Sequence, residues 1–311
     1  MVRSQLLPGG RMPSYRSVLR GAGLVGLVAG LSAISGAAQA GTLTSGSSTL
    51  HYVAAAGETN DVTVTTDGRV LVLRDTGAPS SARLPSRCVQ DSTSPTVAVR
   101  CVAPGSWVLR IELGDGSDSL SAETLPHRIT LRVDAGEGDN LVAAGDGDDQ
   151  ISGGSGNDTL YGGYGDDSVS GGEGDNYVRG NNGDDDLRAG SGIDLVLGDS
   201  GDDVLRGGGE LDFITAGSGD DVAIGGAGPD SLDLGTGDDI GYGDEGADEL
   251  VGGGGRDRLY GGRDDDILRA RDGQADQLDC GPGSADTARV DAGSVDDVSR
   301  SCEKVRAGDG S

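Results

Sequence analysis

The chain's 311 residues are enough for two ordinary domains, but 59 glycines beside one Phe, one Trp and seven Tyr, with 34% apolar residues, argue against a conventional core. A formal net charge of −28 disfavours nucleic acid and anionic membrane as partners and works against the chain's own compact state. Glycine also loses the most freedom on ordering, so any fold here needs a narrow aliphatic seam and an added source of free energy.

Residues 1–40 hold Arg3, Arg11, Arg16 and Arg20, no acid, and the apolar stretch GAGLVGLVAGLSAISGAAQA. That order, closing on Ala38-Gln39-Ala40, predicts a signal peptide cleaved before Gly41, with Met1 or Met12 as the start. Gly and Ser dilute the run against a membrane anchor, and no later stretch is apolar enough to span a bilayer. The expected location is secreted, with no membrane insertion. Residues 41–112 then carry short apolar runs at Leu50–Val53, Val62–Val64, Val70–Leu73, Val97–Val99 and Trp107–Leu113, separated by turn residues. They predict a small β segment, marginal alone, anchored by Trp107 and capping the first rung of the region downstream.

At 113–121, LGDGSDSLS introduces a nonapeptide with Asp118 at its sixth place. ETLPHRITLRVD interrupts it, predicting a loop at 125–128 and a strand at Ile129–Val133. From Ala135 to Arg269 the nonapeptide recurs fifteen times without insertion or deletion, as in GGSGNDTLY and GGYGDDSVS. A fixed short period with turn and strand chemistry predicts a solenoid, whose units bury a core only by stacking. The second place is Gly except at Asn181, Asp199 and Asp244, types that tolerate a left-handed backbone. The fourth is Gly except at Glu210 and Asp264, which puts those two turns in doubt.

The eighth place supplies the seam, from Val142, Ile151 and Leu160 to Leu250, Leu259 and Leu268. A three-residue strand around it cannot reverse within nine residues and stack on itself. Alternate units therefore predict two facing parallel sheets and a coil of eighteen residues, with rungs ~4.8 Å apart. Ala223 and Gly241 are stacked neighbours at that place, so a notch and early amide exchange are expected over 216–242.

The sixth place is Asp throughout the array, apart from Asn140 and Asn176. In the stack, turns of units i and i+2 lie one above the other, so carboxylates and turn carbonyls converge on the gap between them. Such all-oxygen gaps suit Ca²⁺ better than Mg²⁺, and fifteen units leave roughly a dozen of them. The candidate metal ligands are Asp118, Asn140, Asp149, Asp158, Asp167, Asn176, Asp185, Asp194, Asp203, Asp212, Asp221, Asp230, Asp239, Asp248, Asp257 and Asp266. Metal binding would supply the free energy that the composition withholds and couple binding to folding.

After Arg269 the register dissolves, and 270–311 reads as a closing cap and tail. The four cysteines flank the array as two close pairs, Cys88/Cys101 and Cys280/Cys302. In an exported chain, local pairing gives two disulfides, each contributing ~3 kcal/mol by loop entropy.

The array resembles the hemolysin-type (repeats-in-toxin) calcium-binding repeat of secreted toxins, proteases and lipases. The resemblance covers 135–269 directly and 113–121 as an outlying copy. It implies an all-β chain built on a parallel β-roll, with Ca²⁺ in the turns and a coil-to-roll transition on binding. By that pattern the ligand role falls on Asp149, Asp158, Asp167 and the sixth-place aspartates from Asp185 to Asp266. The N-terminal export signal departs from the C-terminal signal usual in the toxins.

No enzymatic constellation accompanies the array. His51 and His127 are isolated, no H-E-x-x-H or G-x-S-x-G occurs, and Lys304 is the only lysine, which excludes a P-loop. Ice binding fails because the third place is Thr only at Thr236 and the fifth is Asn only at Asn157. The expected function is calcium ion binding by a secreted roll. The alternative is an extracellular structural or adhesive protein that uses the roll as a rigid scaffold.

Overall fold

The computed structural model describes residues 42–46, 48–54, 57, 59–75, 86–91, 97–102, 105–292 and 296–308. The expected signal peptide lies outside them. The described residues form twenty-eight strands and no helix, laid out in two sheets of thirteen and fifteen strands. Strands alternate between the sheets every nine residues, so each coil takes eighteen. Ile151, Val169, Leu187 and Leu205 pair in parallel register along one sheet. Val142, Leu160, Val178 and Val196 do so along the other. The all-β parallel roll expected from the period is present.

Strand length differs from expectation. Along most of the array a strand has six residues, as in Thr159–Tyr164, Ser168–Glu173 and Tyr177–Asn182. Each joins places seven to nine of one unit to places one to three of the next, leaving only places four to six for the turn. Side chains in a strand alternate, so the first place points inward just as the eighth does. The seam is therefore two residues wide per strand, and an expectation built on the eighth place alone misses half of it.

That second inward position removes the notch expected at Gly241. Leu234, at the first place on the facing sheet, is fully buried, and its Cδ1 lies 3.1 Å from where a Gly241 Cβ would stand. Leu250 and Leu259 close the same space at 3.3 and 3.5 Å. Leu234→Ala should therefore cost about 2–5 kcal/mol in equilibrium unfolding, as for other buried leucines. A loss below about 1 kcal/mol would show that Leu234 does not fill the gap.

The N-terminal strands continue the same stack. Trp107–Glu112 pairs in parallel with Ile129–Glu137 and with Thr49–Val53, and Trp107 is buried. Asp61–Asp67 pairs in parallel with Ser119–Ser121 on the other sheet. Only the outermost strands turn antiparallel. Both expected disulfides, Cys88–Cys101 and Cys280–Cys302, are formed.

At the C-terminal end the nine-residue spacing stops at Arg269, as expected, but the stacking does not. It continues as two ten-residue units, 270–279 and 280–289, each with one residue added in its turn. Leu278 pairs with Leu259 and Ala288 with Leu268, at the positions the eighth place holds in the array. Asp297–Val298 and Lys304–Gly308 then add a last strand to each sheet.

Candidate metal centres

Left-handed backbone recurs at the second place, ahead of the turn, in every array unit but that of Gly145, and at the fourth place, where the turn begins, in all of them. Where glycine is replaced, the geometry persists: φ is 82° at Asn181, 78° at Asp199 and 74° at Asp244. Glu210 and Asp264 hold the fourth place at 73° and 76°, so the two doubted turns are kept. At the sixth place, just before the next strand, the side chain is buried. All sixteen candidate ligands from Asp118 to Asp266 are buried, none more than 3% exposed.

Stacking arranges these side chains in two rows, one along each edge of the roll. Within a row, each sixth-place backbone N–H donates to Oδ1 of the sixth residue one coil later. One row runs Asp149 to Asp167 (2.8 Å), Asp167 to Asp185 (2.7 Å) and Asp185 to Asp203 (2.8 Å), and on to Asp221, Asp239 and Asp257. The other runs from Asp118 through Asn140, Asp158 and Asn176 to Asp266. One carboxylate oxygen is thus committed to holding the coils together.

The second oxygen is left over. Among the described residues, Oδ2 is buried without a hydrogen-bond partner at fifteen aspartates, including Asp158, Asp167, Asp185 and Asp203. Asp149 differs slightly, its Oδ2 receiving a long bond from Gly145 N–H at 3.4 Å. The two asparagines show what that oxygen faces. Asn140 Nδ2 donates to Gly138 O and Asn176 Nδ2 to Gly174 O, each at 2.9 Å. In those turns an amide hydrogen sits between side chain and carbonyl. An aspartate in the same place brings oxygen toward oxygen, an arrangement that calls for a cation. Asn140 and Asn176 have both amide atoms engaged, which sets them apart from the aspartates as ligands.

In ten of the fifteen units glycine at the first place opens the space beside the sixth-place side chain, while Ala135, Ala144, Ala189, Ala216 and Leu234 stand there in the others. A Cβ on Gly153 would collide with Asp158 Oδ2 and stand 2.5 Å from Gly171 O. The same collision recurs at Gly162 with Asp167 and at Gly207 with Asp212, where Gly180 O and Gly225 O stand 2.9 and 2.8 Å away. Carboxylate and carbonyl oxygens of successive coils therefore converge on one small locus. No group of three or more His, Cys, Asp or Glu side chains among the described residues is placed to hold a metal. A cation here would rely on one or two carboxylates and backbone carbonyls, a donor set suited to Ca²⁺.

Without a cation these carboxylates are hard to ionise. Burial pushes Asp167 and Asp230 up to about 8, and Asp185, Asp203, Asp212, Asp221, Asp239 and Asp266 to about 7. Asp149, Asp194, Asp248 and Asp257 rise to about 6 for the same reason. The N–H that each accepts offsets part of the rise, while neighbouring carboxylates reinforce it.

The rows extend beyond the repeats, and sequence reasoning missed these members. Asp257 N–H donates to Asp276 Oδ1 and Asp266 N–H to Asp286 Oδ1, both at 2.8 Å. At the other end Asn60 N–H donates to Asp118 Oδ1 at 2.5 Å. One signal was present: Asp276-Gln-Leu278 and Asp286-Thr-Ala288 keep the spacing from sixth to eighth place. A strict count of nine hid it.

A family model described as the RTX calcium-binding nonapeptide repeat matches residues 132–160, 161–196, 197–232, 215–250 and 242–274. Together these spans cover the whole regular array. Comparison with curated proteins gives no match.

Proposed function

We propose that this chain, whose residues 132–274 match the RTX calcium-binding nonapeptide repeat, is an exported roll that at pH 8 folds when Ca²⁺ fills its turns. The observation that carries this reading is the double row of buried Oδ2 atoms without partners, with a backbone carbonyl of the next coil at the same locus for Asp158, Asp167, Asp203, Asp212, Asp248 and Asp266. Bound Ca²⁺ supplies positive charge and a shared partner for those oxygens. The aspartates of the two rows hold it, glycine leaves it room in the ten units that have one at the first place, and Oδ1 keeps adjacent coils in register. Because the metal-free roll buries many carboxylates with no counter-charge, binding and folding are coupled.

Export is supported by two disulfides, which persist in oxidising compartments, and by the basic-then-apolar N-terminal sequence. The test is circular dichroism of the metal-free chain during calcium titration. A coil that gains β signal, saturating at about a dozen ions per chain, is the expected result. An unchanged β spectrum in chelator at pH 8 would defeat calcium-coupled folding.

The scaffold reading keeps one supporting observation. An open groove of about 680 Å³ on the outer face of one sheet is lined by Tyr161, Tyr164, Asn181 and Asn182, among others. Tyr164 is 63% exposed there. Aromatic faces beside amides form a binding surface that calcium would hold rigid. Glycan-array binding that disappears in chelator would favour this reading.

A further inference from the structure

The two ten-residue units beyond the array carry the same unsatisfied chemistry as the array itself. Asp276 and Asp286 are 2% and 0% exposed, and each has an Oδ2 with no hydrogen-bond partner. A Cβ on Gly283 would meet both carboxylate oxygens of Asp286, Oδ2 at 2.5 Å, together with Asp264 O. The last array turn depends on the cap as well: the locus beside Gly261 is shared by Asp266 Oδ2 and, at 2.6 Å, the carbonyl oxygen of Cys280. Cys280 in turn is tied to Cys302 by the disulfide.

We infer that the disulfide-closed cap is itself a divalent-cation site: Asp276 and Asp286 hold Ca²⁺ outside the repeats, and the Cys280 carbonyl completes the neighbouring Asp266 turn. The inference rests on the reading that the array binds calcium, and it extends that reading to residues of no nonapeptide. Its consequence is linkage. A cation that binds only the closed cap stabilises it, and whatever keeps the cap closed raises affinity for the cation by the same factor. The Cys280–Cys302 bond should therefore resist reduction more strongly when calcium is bound.

Cys88–Cys101 provides an internal control, because its two cysteines are buried to the same extent, 7% and 0% against 0% and 7% for Cys280 and Cys302. The test compares the full chain with the double variant Asp276→Asn/Asp286→Asn. Asparagine keeps Oδ1 as acceptor and so preserves the coil-to-coil hydrogen bond, as at Asn140 and Asn176. Bound calcium is counted by flow dialysis. Disulfide reduction by a dithiol, which is oxidised to its cyclic disulfide as two thiols form, is followed by alkylation and mass analysis.

The expected result is about two fewer ions per double-variant chain with full β signal in calcium. Calcium should slow reduction of Cys280–Cys302 by about tenfold or more in the parent chain, corresponding to ~1.4 kcal/mol of linkage, and much less in the variant. Protection of Cys88–Cys101 should be the same in both. Unchanged stoichiometry and unchanged protection in a variant whose array still responds to calcium overturn the cap sites alone. A parent chain that binds no calcium overturns both readings.

Discussion

In calcium-free buffer the roll should be far more stable at pH 5 than at pH 8, and calcium should reverse that preference. The folded, metal-free carboxylates titrate at about 6 to 8, as at Asp194, Asp203 and Asp230, against an ordinary value of 3.8. Across that window the folded state binds more protons than the unfolded chain, so stability falls as pH rises. The destabilisation begins near the ordinary carboxylate value and is complete above about 8. Calcium binds the ionised carboxylates, so it must displace protons, and its apparent affinity should climb with pH to a plateau above about 8. Circular dichroism against pH, with and without calcium, measures the first effect. Potentiometry at pH 7 measures the second, and calcium uptake without proton release would refute the account of the buried carboxylates.

Replacing three successive rungs, Asp185→Asn/Asp203→Asn/Asp221→Asn, should give a chain that folds at pH 8 with less calcium and binds fewer ions. The basis is a separation of roles within one side chain. Oδ1 of Asp203 accepts from Asp185 N–H at 2.8 Å, while its Oδ2 has no partner. Asparagine keeps the first role and replaces the charged oxygen by a donor, which at Asn176 reaches Gly174 O. Alanine at the same three places keeps neither role. It leaves a buried N–H unsatisfied at each preceding rung, costing about 1–3 kcal/mol apiece, and should destabilise the roll at every calcium concentration. Unfolding midpoints of the two triple variants, each with and without calcium, separate the cases. Equal behaviour of the Asn and Ala variants would mean that the Oδ1 bonds contribute nothing.

Much of this was legible in the sequence, because the repeat writes each structural role at a fixed place. The two parallel sheets, the coil of eighteen and the left-handed second place all follow from period and residue type. What escaped has physical causes. Leu234 fills the gap at Gly241 from the facing sheet, and nothing in the eighth-place pattern reveals a partner across a sandwich. One extra residue in each cap turn, at 270–279 and 280–289, hid Asp276 and Asp286 from a strict count while leaving strand pairing intact. The distinct behaviour of Asn140 and Asn176 depends on a carbonyl two residues earlier, which only folded geometry places within reach.

The alternation of strands between two sheets gives the array a parity. The cap is built for one arrangement, in which Gln277–Asp279 stacks on Arg258–Arg263 and Thr287–Asp291 on Ile267–Arg269. Losing or gaining a single nonapeptide would hand every downstream strand, the cap included, to the opposite sheet and turn the two ends of the roll by half a coil relative to each other. Losing or gaining two would shorten or lengthen the roll by one coil and leave both ends as they are. Only a step of eighteen residues preserves how the two ends face each other, so the nine-residue motif seen in the sequence is half of the structural repeat.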